Sequence, residues 1–485
     1  MSQDNGAHVE DGATTDASLA SRAKNPKKNS PKWWLIALAV VVVVAVIAGA
    51  AFAFGGKKDS KNAASSGTYA DTVTIGLKLA PTNLDIRNTA GSALDQILIG
   101  NVYEGIVARD SKNQVAPAIA SSWETSKDGL TYTFHLNKNM TFSNGDKLDA
   151  EDVAWSINEL IAKDYHDADA LAAVDKVEAK DADTVVITLK SANSNLLWTL
   201  TGRPGLVFDK DAKYDLKTQA IGSGPYIVSK FVENSSITLK ANDKYWGKNK
   251  AKTPTVVVKY LADDNAAVNA LKSGDVQVLA PITENLAEPF KSDSAKYTVK
   301  AGNGTDKFVL GFNNASGSKL ADKRIRQAIR YAINHKELIA SRGGADKALG
   351  GPIPSLDPGY EDLTNLYPYD QNKAKSLMAE AGYSTDKPLQ LTLTYANIYG
   401  TELGDQLRSQ LKPIGIDLKV NVVEFSTWLQ DVYTNHTFDI SLVDHNESHD
   451  FASWTDPTYY FGYDNKNVTK LYNEGVAATS DKERD

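Results

Sequence analysis

The seven residues Asp444-His445-Asn446-Glu447-Ser448-His449-Asp450 are the densest run of reactive side chains in the sequence. They follow a probable strand that ends near Leu442. Their types allow three chemistries. His445, Glu447, His449 and Asp450 could ligate a metal, since imidazole and carboxylate are ordinary metal ligands. The run could equally be a ligand-contacting loop at a strand end, where α/β proteins bind their solutes. It could also be a polar loop with no task. A second concentration is aromatic: Trp428, Trp454, Tyr459, Tyr460, Phe461 and Tyr463. Such rings usually form core and less often wall a binding site.

Signatures of catalysis are missing. The 485 residues hold no Gly-x-Ser-x-Gly elbow, no Walker-type phosphate loop and no His-Glu-x-x-His. Gly302-Asn303-Gly304 reads as a turn. Carboxylates are numerous, but no pair stands out as an acid/base couple. The chain has no cysteine. That excludes disulfides, a thiolate nucleophile, a thiolate-bound metal and a lipidated cysteine anchor. We expect no enzyme, no cofactor and no metal.

The elements that must position these residues are legible as alternating patterns. β-rich runs recur at 72–78, 131–136, 184–189, 236–240, 255–260, 307–312, 389–395 and 416–423. Helical patterns lie between many of them. Asp149 is placed to cap a helix carrying Val153, Ile157, Leu160 and Ile161 on one face, with Asp152 answering it as in a capping box. Asp322 caps a second, with Ile325, Ala328, Ile329, Ala332 and Ile333 inward. Asp370 begins a third that runs through Ala374, Leu377 and Met378 and stops at Gly382. Interleaved strands and helices predict an α/β body of two or three subdomains, without internal repeats.

The body is preceded by an uncharged apolar run, Trp33 to Phe54, long enough as a helix to cross a bilayer. Arg22, Lys24, Lys27, Lys28 and Lys32 stand before it, which places the head in the cytoplasm and the body outside. The rival reading is a cleaved signal peptide, with Ala51-Phe52-Ala53 as the cleavage site. Residues 1–32 are expected to be disordered, and 55–69 to be a flexible tether. The net charge is −7, of which the head contributes +1, so the body is acidic. That argues against nucleic acid as a partner.

An ordered set of motifs then identifies a family resemblance. Ala118–Glu124, Asp128–Leu136 and Met140–Ser156 form one continuous signature. Asn101-Val102-Tyr103-Glu104-Gly105 precedes it; Gly222-Ser223-Gly224-Pro225-Tyr226 and Asn242-Asp243-Lys244-Tyr245-Trp246-Gly247 follow. Leu271–Val276, Arg324–Ile329, Tyr369–Gly382 and Gly404–Gly415 complete the series. From about residue 70 onward the chain resembles the family 5 extracellular solute-binding proteins, the oligopeptide- and dipeptide-binding components of ABC importers.

The resemblance implies a two-lobed α/β fold like that of periplasmic binding proteins (type II, large form with an extra subdomain), here preceded by one transmembrane helix. The ligand would lie between lobes that close by a hinge. Lobe 1 would span 70–302 with a subdomain inserted at about 111–190, lobe 2 would span 303–445, and 446–485 would return toward lobe 1. Family members run on further, so the chain is expected to be truncated. The implied ligand contacts are Leu79, Ala80, Pro81, Thr82, Phe312, Asn313, Asn314, Asn397, Tyr399, Trp428, Asp444, His445, Asn446 and Glu447. Asp444 falls where the family pairs an aspartate with the α-ammonium of a peptide. The Gly-Trp that usually precedes that aspartate is absent and Ser448 stands where proline is common, which leaves Glu447 as the alternative anion. The implied function is a monomeric, membrane-tethered peptide receptor working with ABC permease subunits. The alternatives are oligosaccharide or other solute binding, or a sensory or adhesive surface protein on the same fold.

Overall fold

The computed structural model describes residues 69–485 apart from Ala90 and Asn446. The expected head, the apolar run 33–54 and all but the last residue of the tether lie outside them. Among the described residues no helix is long and apolar enough to cross a membrane.

The chain enters as β1 (Thr72–Leu77) and forms a small hairpin of β2 (Val107–Arg109) and β3 (Val115–Pro117). Then come β4 (Ala120–Thr125), β5 (Thr131–Leu136), helix α1 (Ala150–Ala162), β6 (Val174–Asp181) and β7 (Thr184–Leu189). β8 (Tyr226–Val232), β9 (Ser236–Ala241), β10 (Thr255–Tyr260) and β11 (Val278–Leu279) follow. The remainder holds β12 (Lys307–Phe312), α2 (Lys323–Ala332), α3 (Gln371–Glu380), β13 (Leu389–Ala396), α4 (Glu402–Leu411), β14 (Ile416–Val423), β15 (Ile440–His445) and α5 (Lys466–Val476).

Three larger sheets result. The first has the order β11-β1-β10-β9-β8, with β1 parallel to both β10 and β11. The second, β4-β5-β7-β6, is antiparallel throughout. The third, β12-β15-β13-β14, is parallel except for β12.

Local sequence explains these elements. β5 and β7 alternate strictly, burying Tyr132, Phe134 and Leu136, and Val185, Ile187 and Leu189, beneath Val153, Ile157 and Leu160 of α1. The predicted caps are present. Asp149 accepts from the Glu151 N–H at 3.0 Å, while Asp152 accepts from the Asp149 N–H at 3.1 Å. Asp322 and Asp370 cap α2 and α3. β13 is almost wholly buried because it is covered on both faces. Leu391, Leu393 and Tyr395 face α2, α3 and α4, whereas Ala396 joins an aromatic core with Trp428, Tyr460 and Phe461. The late aromatic cluster is therefore packing. Gly311 is required beside it, since a Cβ there would come within 2.8 Å of the Phe461 ring.

Several of the family-like motifs meet one another in space. The buried Glu104 carboxylate accepts from Tyr245 Oη (2.7 Å), Ser223 Oγ (2.9 Å) and Trp246 Nε1 (3.0 Å). Gly222 lies so close that a Cβ would sit 1.9 Å from the Val102 carbonyl. Asn242 Nδ2 donates to the Gly224 carbonyl at 3.0 Å. Residues 101–105, 222–226 and 242–247 are thus one polar clasp inside the first sheet's domain, and their role is architectural.

Candidate functional site

Parallel strands place their loops together, and two edges matter here. At the carboxyl edge of the third sheet β13 runs into Asn397–Tyr399, β14 into Glu424 and β15 into residues 444–450. The antiparallel β12 begins at the same edge, so Lys307 lies opposite His445 and Phe308 opposite Asp444. At the carboxyl edge of the first sheet β1 leads into Leu79, Ala80, Pro81 and Thr82. Open α/β sheets present their ligand crevices at such edges.

Asp444 stands out. Its Oδ1 is buried without a hydrogen-bond partner, while its backbone N–H donates to Tyr399 Oη at 3.2 Å. Burial raises its carboxyl to about 6; the Asp306 charge adds to this, and Arg342 and Lys307 oppose it. A carboxylate in this state lacks a close cation of its own. Beside it, Phe308 is half-exposed, stacks edge-on against Tyr399 at 5.5 Å and carries the Arg342 guanidinium at 4.0 Å from its ring centroid. Arg342 is itself paired with Asp346.

The loop after β15 is held from below by Lys307, a residue that sequence reasoning passed over. Its Nζ, almost fully buried, donates to the Glu447 carbonyl at 2.6 Å and pairs with Asp450 at 3.1 Å. The only hint in the sequence was a lysine opening an otherwise apolar strand. Burial raises the Asp450 carboxyl to about 6 against the opposing pull of Lys307. Asp357, equally unanticipated, closes the far end of the loop. It accepts from the His449 N–H at 2.8 Å, from Asn113 Nδ2 at 3.1 Å and from Ser448 Oγ. His449 then stacks on Trp198, with centroids 3.9 Å apart and planes within 4°.

Apart from Leu79–Thr82 at the first sheet's edge, the expected site residues divide into three groups. Tyr399, Asp444, His445, Glu447 and, slightly outward, Asn397 share the third sheet's carboxyl edge. Asn397 donates to Glu424 at 2.8 Å. His445 points into the aromatic core, where Nε2 lies 3.1 Å from Tyr460 Oη and burial lowers its pKa to about 4. It is a neutral packing histidine at physiological pH. Phe312, Asn313 and Asn314 lie at the opposite end of β12, four residues from Phe308 and so about 14 Å along the strand. Both asparagines bind backbone there: Asn313 reaches the His436 and Phe438 carbonyls, Asn314 those of Phe312 and Phe461. Trp428 is buried, with its indole N–H donating to Ser441 Oγ at 2.9 Å. Asn446 lies outside the described residues. Among the described residues no group of three or more His, Asp or Glu could hold a metal ion.

Comparison with known proteins points one way. Residues 114–468 match the family model described as bacterial extracellular solute-binding proteins, family 5 middle. The sequence is 27% identical over 391 residues to di/tripeptide-binding protein 2 of Pseudomonas aeruginosa, covering 73% of this chain and 72% of that one. It is 28% identical over 386 residues to heme-binding protein A of Haemophilus influenzae, covering 70% and 67%. The chain spans 65% to 72% of the length of the curated relatives it matches. Among solved structures, the ABC transporter substrate-binding protein CtaP of Listeria monocytogenes superposes with a TM-score of 0.75 at 23% identity, over 86% of this chain and 88% of that one. That likeness establishes a two-lobed α/β fold.

Proposed function

The chain belongs to the bacterial extracellular solute-binding proteins of family 5, and on that premise we propose that it is a peptide receptor serving an ABC importer. The observation that carries the peptide reading is the Asp444 carboxylate, buried, without a partner on Oδ1, at the carboxyl edge of the third sheet. A peptide α-ammonium is the complementary group: a fixed cation with N–H donors that replaces the solvation the carboxylate has lost. Phe308 and Tyr399 add an apolar wall that favours no particular side chain. Leu79–Thr82 would face the peptide from the other lobe. Affinity would then come from burial between the lobes and backbone hydrogen bonds, and delivery from reopening at the permease. The task is transport, without chemistry on the solute.

The division into lobe 1 (70–302), lobe 2 (303–445) and a returning segment belongs to the same proposal and is consistent with the three sheets. So is a membrane anchor at residues 33–54 with the head in the cytoplasm and the body outside. Its support is the uncharged run and the basic residues before it. The discriminating experiment is titration calorimetry of the full chain with a short peptide and its N-acetyl form. Free-amine binding that N-acetylation and Asp444→Asn each reduce supports the reading. Equal affinity for both peptide forms would remove Asp444 from the amine role.

A further inference from the structure

Asn113 sits in the turn between β2 and β3, with a backbone φ of 64°. The hairpin belongs to the core of the second sheet, which it joins through Val107 and Val115. Asp357 belongs elsewhere. It lies between α2 and α3, which pack on the third sheet. The two cores share no residue. Yet Asn113 is almost fully buried, and its side chain bonds only the third sheet's side. Its Nδ2 is within hydrogen-bond distance of Asp357 Oδ1 (3.1 Å), the Leu356 carbonyl (3.2 Å) and Ser448 Oγ (3.0 Å). A second contact joins the same two bodies. Trp198, between Leu196 and Leu200 of the second sheet's core, stacks on His449 at 3.9 Å.

A polar contact between separately cored bodies can break and remake without disturbing either core. This one is built to do so. Asp357 keeps two donors near β15, Ser448 Oγ and the His449 N–H, when Asn113 withdraws. Asn113 Oδ1 is buried without a partner, a cost that separation relieves. The contact therefore holds without locking. We propose that Asn113 and Asp357 form a latch between the lobes, which favours the closed form and raises solute affinity without touching the solute. This rests on the lobe division proposed above and deepens it. Where the open form dominates the ligand-free protein, affinity scales with the closed fraction, and the latch sets that fraction.

The test reads closure directly. The chain has no cysteine, so Lys138→Cys beside the second sheet and Lys375→Cys on α3 can carry a donor–acceptor pair for single-molecule energy transfer. Calorimetry with trialanine is run on the same full-length variants, with thermal melting to confirm folding. Asn113→Asp sets a carboxylate against Asp357 and should lower the closed-to-open ratio at least about tenfold at pH 7.5. Trialanine affinity should fall by the same factor. Asn113→Gly removes the side chain without straining a positive φ and should cost about threefold. Adding Asp357→Asn to Asn113→Asp exchanges donor and acceptor and should recover most of the loss. A ratio that Asn113→Asp leaves unchanged would overturn the latch. So would a loss of affinity without a shift in the ratio, since Asn113 would then act on the solute itself. If trialanine neither binds the wild type nor closes it, the peptide reading fails, and the ligand-free ratios of the variants still decide the latch.

Discussion

Peptide affinity should fall on acidification through pH 6, and Asp444 sets the size of the fall. With no ligand its carboxyl is raised to about 6 by burial. Pairing with an ammonium lowers a carboxyl pKa, so the bound form stays charged to lower pH. The sign follows: binding is complete above about pH 6 and weakens as pH drops below it. At pH 5 about one free receptor in eleven carries the charged carboxylate, so affinity should be roughly tenfold lower than at pH 7, or about 1.4 kcal/mol. A peptide α-amine, with a pKa near 8, stays almost fully protonated between pH 5 and 7 and begins to lose its proton only above that. Calorimetry between pH 5 and 7.5 should give that slope for a free-amine peptide. Asp444→Asn should bind weakly at every pH and remove the slope, while any remainder belongs to other groups such as Asp450, whose carboxyl also lies near 6. The same variant has an opposite effect on stability. A carboxyl raised in the folded state binds protons there that the unfolded chain releases, so its charge destabilises the empty protein at pH 7 and the penalty fades as pH falls toward 4. Asp444→Asn should therefore stabilise the ligand-free protein at pH 7 by about 2–3 kcal/mol, seen as a higher midpoint in urea. A flat affinity between pH 5 and 7 in the wild type, or a slope of undiminished size in Asp444→Asn, would refute the reasoning.

Other perturbations test the frame around the site. Glu104→Ala leaves Tyr245, Ser223 and Trp246 without their acceptor, and should cost about 3–5 kcal/mol in chemical denaturation. Gly222→Ala should lower the melting temperature strongly even though alanine is small, because its Cβ would overlap the Val102 carbonyl. Lys307→Met leaves Asp450 buried and uncompensated, costing about 3–5 kcal/mol at pH 7, and the loss should shrink toward pH 5 as Asp450 takes up a proton. Asn313→Ala, far along β12 from Asp444, should leave peptide affinity within about twofold while lowering stability modestly through its lost backbone bonds; a large loss of affinity would bring that end of the sheet into the site.

Much of the fold was legible because it is local. Alternation marked β5 and β7, and aspartates at helix starts marked α1, α2 and α3, since a cap is satisfied by residues two or three positions away. The motif series pointed to the family correctly, but most of its residues prove to be scaffold. Glu104 and Tyr245 are 141 positions apart, and nothing along the chain reveals that they share hydrogen bonds. Within the candidate site, the 444–450 loop was visible as a polar cluster, whereas Lys307, Asp357 and the Trp198–His449 stack were not.

The sequence by itself determined the α/β body, its caps, the lack of thiol chemistry and the family. Those depend on composition and short-range pattern. Only the tertiary structure decided which polar groups of the 444–450 loop are occupied. His445 and His449 have the same side chain and lie four residues apart, yet one packs into an aromatic core and the other stacks on Trp198. Asp444 and Asp450 are both carboxylates raised by burial, yet only Asp450 is paired, with Lys307, which β12 delivers from the opposite strand direction. Which charge is neutralised depends on which strand end arrives beside it, and that is a property of sheet register rather than of the loop's own residues.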